Sequence, residues 1–177
     1  MPFSGETDNA VMRFPILAAV LMLAACSPEL NWREVRADPT ALTVLLPCKP
    51  DRGARVVPMG GRDTPLNMLG CDAAGATFAV AFADTADAGQ AAAVLTQWRA
   101  ATLANMRATA PAEQPFTVAG GVVSLRVAAS GQRADGKTVQ SQAVYFSQGP
   151  RVYQAVIYAD KLTADVADTF FGGLKLP

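Results

Sequence analysis

Short apolar runs with alternating faces fill the chain from residue 41 onward, interrupted once by a long helical pattern. Leu42-Thr43-Val44-Leu45-Leu46 reads as a strand that Pro47 ends. Arg55-Val56-Val57-Pro58-Met59 reads as a second strand, and Pro58 places it at a sheet edge, where a missing N–H does least harm. Gly60-Gly61 turns the chain into a third strand over residues 65–71, and Asp72 to Gly75 forms the next turn. In residues 77–82, Phe78, Val80 and Phe82 share one face. The period then changes. Asp84 and Asp87 offer helix caps, and Ala91, Val94, Leu95, Trp98, Thr102 and Met106 make one stripe at helical spacing over residues 88–107. Pro111 and Pro115 are read as closing that helix.

Strands resume beyond it. Gly120-Gly121 reads as a bulge or hairpin turn within residues 116–127, and Ala134-Asp135-Gly136-Lys137 as a hairpin turn. Residues 138–146 and 151–158 read as two further strands, the last rich in Val, Ile and Tyr, separated by a turn at Gln148-Gly149-Pro150. Thr163 offers a cap for a final helix carrying Val166 and Phe170 on one face, and Gly172-Gly173 stops it. Consecutive strands joined by tight turns are antiparallel. The expected fold is therefore α+β: a largely antiparallel sheet of six to eight strands, with one long helix and one C-terminal helix packed on it.

The N-terminal pattern is of another kind. The apolar run from Phe14 to Ala25 would be ~18 Å long as a helix, against a hydrocarbon core of ~30 Å, which suits a signal-peptide core and not a span. It ends in Leu23-Ala24-Ala25-Cys26, the arrangement of a lipobox: Leu at −3, a small residue at −1, Cys at +1. An ordinary secretory signal wants a small residue where Leu23 stands. The expectation is a signal peptide over residues 1–25, acylation of Cys26, and a lipidated tether over residues 26–40 leading into one domain over 41–177. The anchor is then a diacylglyceryl, N-acylated cysteine, whose several chains hold stably where one would not. The protein would face the periplasm, and Ser27 in place of Asp favours the outer membrane over the inner. Glu6 and Asp8 are unusual ahead of a signal core, and Met12-Arg13 would make a better start. Trp32, within the tether, is read as docking on the domain or, as the alternative, resting at the membrane interface.

With Cys26 acylated, Cys48 and Cys71 remain as a pair in an oxidising compartment, and a disulfide between them is expected. It would close a loop of about two dozen residues and stabilise by roughly 3 kcal/mol. Two buried thiols or a redox pair are the alternatives, and no CxxC spacing supports redox work.

Composition then narrows the chemistry. Fifteen Lys and Arg balance fifteen Asp and Glu, so no field draws in nucleic acid. Histidine is absent, which excludes Ser-His-Asp triads, Cys-His pairs, HExxH zinc sites and phosphohistidine chemistry. Asp165 and Asp168 lie one helical turn apart, where carboxylates ordinarily complement the helix dipole. The paired glycines lack P-loop or GxGxxG spacing, and the serines lack a GxSxG setting. No catalytic residue, metal ligand or cofactor is expected. Trp98, Tyr145, Tyr153 and Tyr158 are the candidate ligand or partner surface, set against the plainer role of sheet aromatics as core.

The order of elements resembles the Mog1/PsbP-like α/β/α sandwich, in which a strand ending in a Pro motif opens the central sheet and a helix with a short apolar tail comes last. The lipobox with Asn31-Trp32-Arg33-Glu34-Val35-Arg36 and Thr43-Val44-Leu45-Leu46-Pro47 is similar to a group of uncharacterised proteobacterial lipoproteins. That group brings no established activity, and the sandwich resemblance implies a binding or assembly factor; the membrane tether, the single domain and the absence of recognisable catalytic groups favour a non-catalytic module that binds or scaffolds another envelope component. The alternatives are a carrier of a small apolar or lipid-like ligand and, further off, a hydrolase using paired carboxylates.

Overall fold

The computed structural model describes residues 29–120 and 122–177. The expected signal peptide, residues 1–25, and the expected acylation site Cys26 lie outside the described residues. Among the described residues nine strands and two α-helices follow in the order β1 (Arg33–Arg36), β2 (Thr43–Leu46), β3 (Asp51–Met59), β4 (Arg62–Ala73), β5 (Ala76–Asp84), α1 (Ala91–Asn105), β6 (Thr109–Val118), β7 (Val122–Gln132), β8 (Thr138–Gln148), β9 (Arg151–Ala159) and α2 (Ala164–Gly172). The α+β expectation holds. Seven strands form one sheet in the order β3-β4-β5-β9-β8-β7-β6, every pair antiparallel, and β1 and β2 form a separate two-stranded ribbon. The sheet is two meanders, β3-β4-β5 and β6-β7-β8-β9, joined where β5 pairs with β9.

Alternation along β5 shows how the layers arise. Phe78, Val80 and Phe82 point to one face, where they meet Leu42, Val44 and Leu46 of the ribbon and Phe170 and Phe171 of α2. Ala81 and Ala83 point to the other, where they meet Ala91 and Val94 of α1. The ribbon with α2 thus covers one side of the sheet and α1 the other. The large aromatics crowd the ribbon side: Phe78 packs edge-on against Phe170 at 5.5 Å, and Phe146 stacks on Tyr153 at 4.8 Å. The C-terminal tail closes this layer, with Thr43 and Lys175 exchanging backbone hydrogen bonds of 3.0 Å. Gly173 fits because a Cβ there would collide with Leu45.

Two boundaries differ from the sequence expectation. Residues 31–40 are not tether. Arg33–Arg36 pairs with Thr43–Leu46, the Asn31 N–H donates to the Pro47 carbonyl at 2.7 Å, and Trp32 packs edge-on against Phe78 at 5.9 Å. The charged Arg33 and Glu34 hide this strand from a search for apolar alternation, because the ribbon lies outside the main sheet and one of its faces is open. Pro111 and Pro115 do not follow the helix as loop residues; they lie inside β6. β6 is an edge strand, paired only with β7, so the missing N–H groups need no partner on the open side. The opposite edge, β3, carries Pro58 for the same reason.

Candidate functional site

α1 is entered through a 3-10 turn, Ala88–Gln90, whose Gln90 N–H donates to the Asp87 carboxylate at 3.2 Å. The Thr85 hydroxyl fixes this entry by reaching the Pro150 carbonyl at 2.6 Å. At the far end the Gln132 N–H donates to the Met106 carbonyl at 2.7 Å, and Gly131 admits that close approach because a Cβ would strike the same carbonyl. Arg99 adds an ion pair to Glu113 of β6 at 2.8 Å. Both ends and one flank of α1 are therefore tied to the sheet.

Beneath α1 a small polar network pins the helix centre. The Gln154 amide donates to the Tyr145 hydroxyl at 2.9 Å and to Thr102 Oγ1 at 3.1 Å. The Thr102 hydroxyl donates in turn to the Trp98 carbonyl at 3.0 Å. Trp98 sits edge-on to Tyr145 at 6.5 Å. Gln154 is 6% exposed, and such a side chain is tolerated only when satisfied, as it is here. Burial pushes the Tyr145 phenol above its ordinary pKa, so it stays a neutral member of the network.

Between α1 and the sheet a groove of about 600 Å³ remains open, lined from β3, β4 and β5 and also from Gln132, Val139, Gln154 and Tyr158 of the other half. One wall comes from α1 through Val94, Trp98 and Ala101 and from Met106, the residue that caps its C-terminus. The floor and far wall come from Val57, Met59, Leu66, Met68, Ala81 and Tyr158. The small side chains of Ala81 on the sheet and Ala101 on α1 leave room between the two layers here. All three methionines among the described residues, Met59, Met68 and Met106, line it. Unbranched, polarisable side chains of this kind adapt to irregular apolar shapes. Its polar lining consists of amides, hydroxyls and the guanidinium groups of Arg55 and Arg133, and no Asp, Glu, Ser or Cys lines it among the described residues. The arrangement can hold an apolar body and donate hydrogen bonds to it; it brings no nucleophile–base pair together.

The sequence-predicted aromatics divide between the two sides of the sheet. Trp98 and Tyr158 line the groove, and Tyr145 is buried behind Trp98. Tyr153 is a correction: it points to the opposite face and stacks on Phe146, because an odd position on β9 faces the ribbon while Gln154 and Tyr158 face α1. Gln154 was missed in the sequence, although a lone amide in an apolar strand is the signal that finds it. Asp168 is engaged by Arg126 at 2.8 Å, and Asp165 lies in the first turn of α2. Thr163 occupies the N-cap position with extended backbone but makes no side-chain capping bond. Asp84 does not cap α1; Arg151 grips it through two bonds of 2.6 and 2.8 Å, and that contact holds its carboxyl below the usual range. Cys48 and Cys71 are joined by a disulfide, with Cα atoms 6.0 Å apart. Among the described residues no cluster of three or more His, Cys, Asp and Glu is placed to hold a metal, and no helix is long and apolar enough to cross a membrane.

Burial pushes the Tyr158 phenol from 10.0 to about 12. An unfolded chain loses that proton near pH 10.0, whereas the folded one keeps it until about 12. Between those values the unfolded state binds fewer protons, so stability falls as pH rises, while below them Tyr158 contributes no slope. Urea midpoints are expected to fall over this window, and Tyr158→Phe should remove part of the fall. A slope unchanged in the variant would contradict this placement.

No family model and no curated protein matches the chain. Among solved structures, the chain is similar to a protein of unknown function from Pseudomonas aeruginosa described as a putative regulator. The two share 15% identity and a TM-score of 0.36, over 72% of this chain and 82% of the other.

Proposed function

We propose that this chain is a non-catalytic envelope lipoprotein, held at the membrane by an acylated Cys26, whose domain binds a small apolar or amphipathic ligand between α1 and the sheet. The observation that carries the reading is the groove of about 600 Å³, which falls within the ~300–1,000 Å³ usual for ligand sites. Its mixed lining, apolar side chains with hydrogen-bond donors among them, supports a binding site more than a packing defect. Docking of an envelope protein, the first expectation from the sequence, has less behind it. Among the described residues the large exposed hydrophobics are Val56 and Val123, on strands in opposite halves of the sheet, and they do not form a patch. A lipid-anchored, periplasm-facing site, at the outer membrane by Ser27, suits such a ligand. The element order and the two covered sheet faces also support placing the domain among the Mog1/PsbP-like sandwiches, and the N-terminal motifs support the uncharacterised proteobacterial lipoprotein group.

Trp98 reports on the groove directly. The chain has two tryptophans, and Trp32 packs on the other side of the sheet, so Trp32→Phe isolates the Trp98 emission. Titration with decyl maltoside, a neutral single-chain probe, is expected to shift that emission saturably. Ala101 lines the groove at an exposed helix position, so Ala101→Trp should abolish the saturable response with little cost in stability. A response that is linear in probe, or equal in both proteins, would remove the groove from the account.

A further inference from the structure

Granting that the groove is a ligand site, its charge decides which ligand it takes. The charged side chains that line it are Arg55 and Arg133, both cationic, with no carboxylate beside them in the lining. They differ in one respect. Arg133 is already held by Asp160 at 3.0 Å. Arg55 makes no ion pair or side-chain hydrogen bond to any described residue. Every other arginine among the described residues makes at least one such contact. Alternation along β3, an edge strand of the sheet, sets Arg55 on the same face as Val57 and Met59, opposite Leu66 in the register. A guanidinium matches a carboxylate through two parallel N–H donors. Tyr158 also lines the groove, and its hydroxyl makes no hydrogen bond to a described residue.

We propose that the groove takes a free single-chain alkyl carboxylate, with its head at Arg55 and its chain lying along Met59, Met68 and Met106 beneath α1 toward Trp98. One uncommitted guanidinium matches one negative charge. A volume of about 600 Å³ suits one alkyl chain with a small head, not the two chains of a bilayer lipid.

The test compares probes of equal chain length on the full chain carrying Trp32→Phe, read by Trp98 emission. Decanoate is expected to bind about tenfold more tightly than decanol, the equivalent of about 1.4 kcal/mol, with decylammonium weakest. Arg55→Gln should bring decanoate and decanol within about twofold of each other. Phosphatidylglycerol vesicles should fail to displace decanoate. Equal binding of decanol and decanoate would overturn the acid assignment while leaving the groove a ligand site. A preference that survives Arg55→Gln but disappears in Arg133→Gln would overturn the placement of the head. Displacement by the vesicles would overturn the single-chain assignment. If none of the three decyl probes binds, the ligand reading of the groove itself fails.

Discussion

Replacing Phe170 by alanine is expected to lower the free energy of unfolding by about 4 kcal/mol. Phe170 is fully buried, and its ring meets Phe78 at 5.5 Å and Phe171 at 5.1 Å. It is the point at which α2 is keyed into the ribbon side of the sheet. Truncation removes the burial of a whole aromatic side chain and leaves a cavity that two rings, a helix and a sheet cannot collapse to fill. Domains are stable by only about 5–15 kcal/mol, so the loss is a large share of the total. In urea the midpoint should fall with the slope unchanged, and in a thermal scan Tm should drop by roughly 10 °C. Val123→Ala is the control, since Val123 is 79% exposed and should shift stability by less than about 0.5 kcal/mol. A Phe170→Ala loss no larger than the control's would mean that α2 does not pack as described.

Removing the Cys48–Cys71 disulfide, as Cys48→Ala with Cys71→Ala, should cost about 3 kcal/mol. The two cysteines are 23 positions apart, and the loop they close contains the whole of β3. β3 is an edge strand bonded only to β4, and it supplies Arg55, Val57 and Met59 to the groove. With the bridge gone, the cost of ordering that loop falls on the folding reaction, and β3, paired on one side only, has little else to resist local opening. Amide exchange should therefore accelerate most in β3, and more there than in β8 or β9 at the sheet centre. Uniform acceleration across the sheet would show that the bridge acts only on the unfolded chain. A stability loss below about 1 kcal/mol would contradict the loop-closure account altogether.

Much of this fold was legible in the sequence because the signals are local. Phe78, Val80 and Phe82 alternate in the chain and share one buried face in the structure. Ala91 and Val94 repeat at helical spacing and are the buried contacts of α1. The two cysteines that remain after Cys26 pair as their number suggests. What escaped depends on neighbours far along the chain. Pro111 and Pro115 end a helix or sit in a strand according to whether that strand has a second partner, which depends on the order of the whole sheet. β1 carries charged residues and becomes a strand only because β2 is beside it. The site was legible by half. Trp98 and Tyr158 could be singled out as aromatics, and the parity of Tyr153 against Tyr158 on one strand already separates their faces. The groove itself could not be read, because its volume depends on where α1 comes to rest over Ala81 and Met68.

The methionine methyl groups give the most direct test of that groove. Met59, Met68 and Met106 all line it, so carbon-13 methyl labelling of methionine places three probes along its length. On titration with decanoate these three signals should move together and saturate at one equivalent, in wild type and not in Ala101→Trp. Signals that stay in place while decanoate binds elsewhere, or that drift without saturating, would contradict a ligand site between α1 and the sheet.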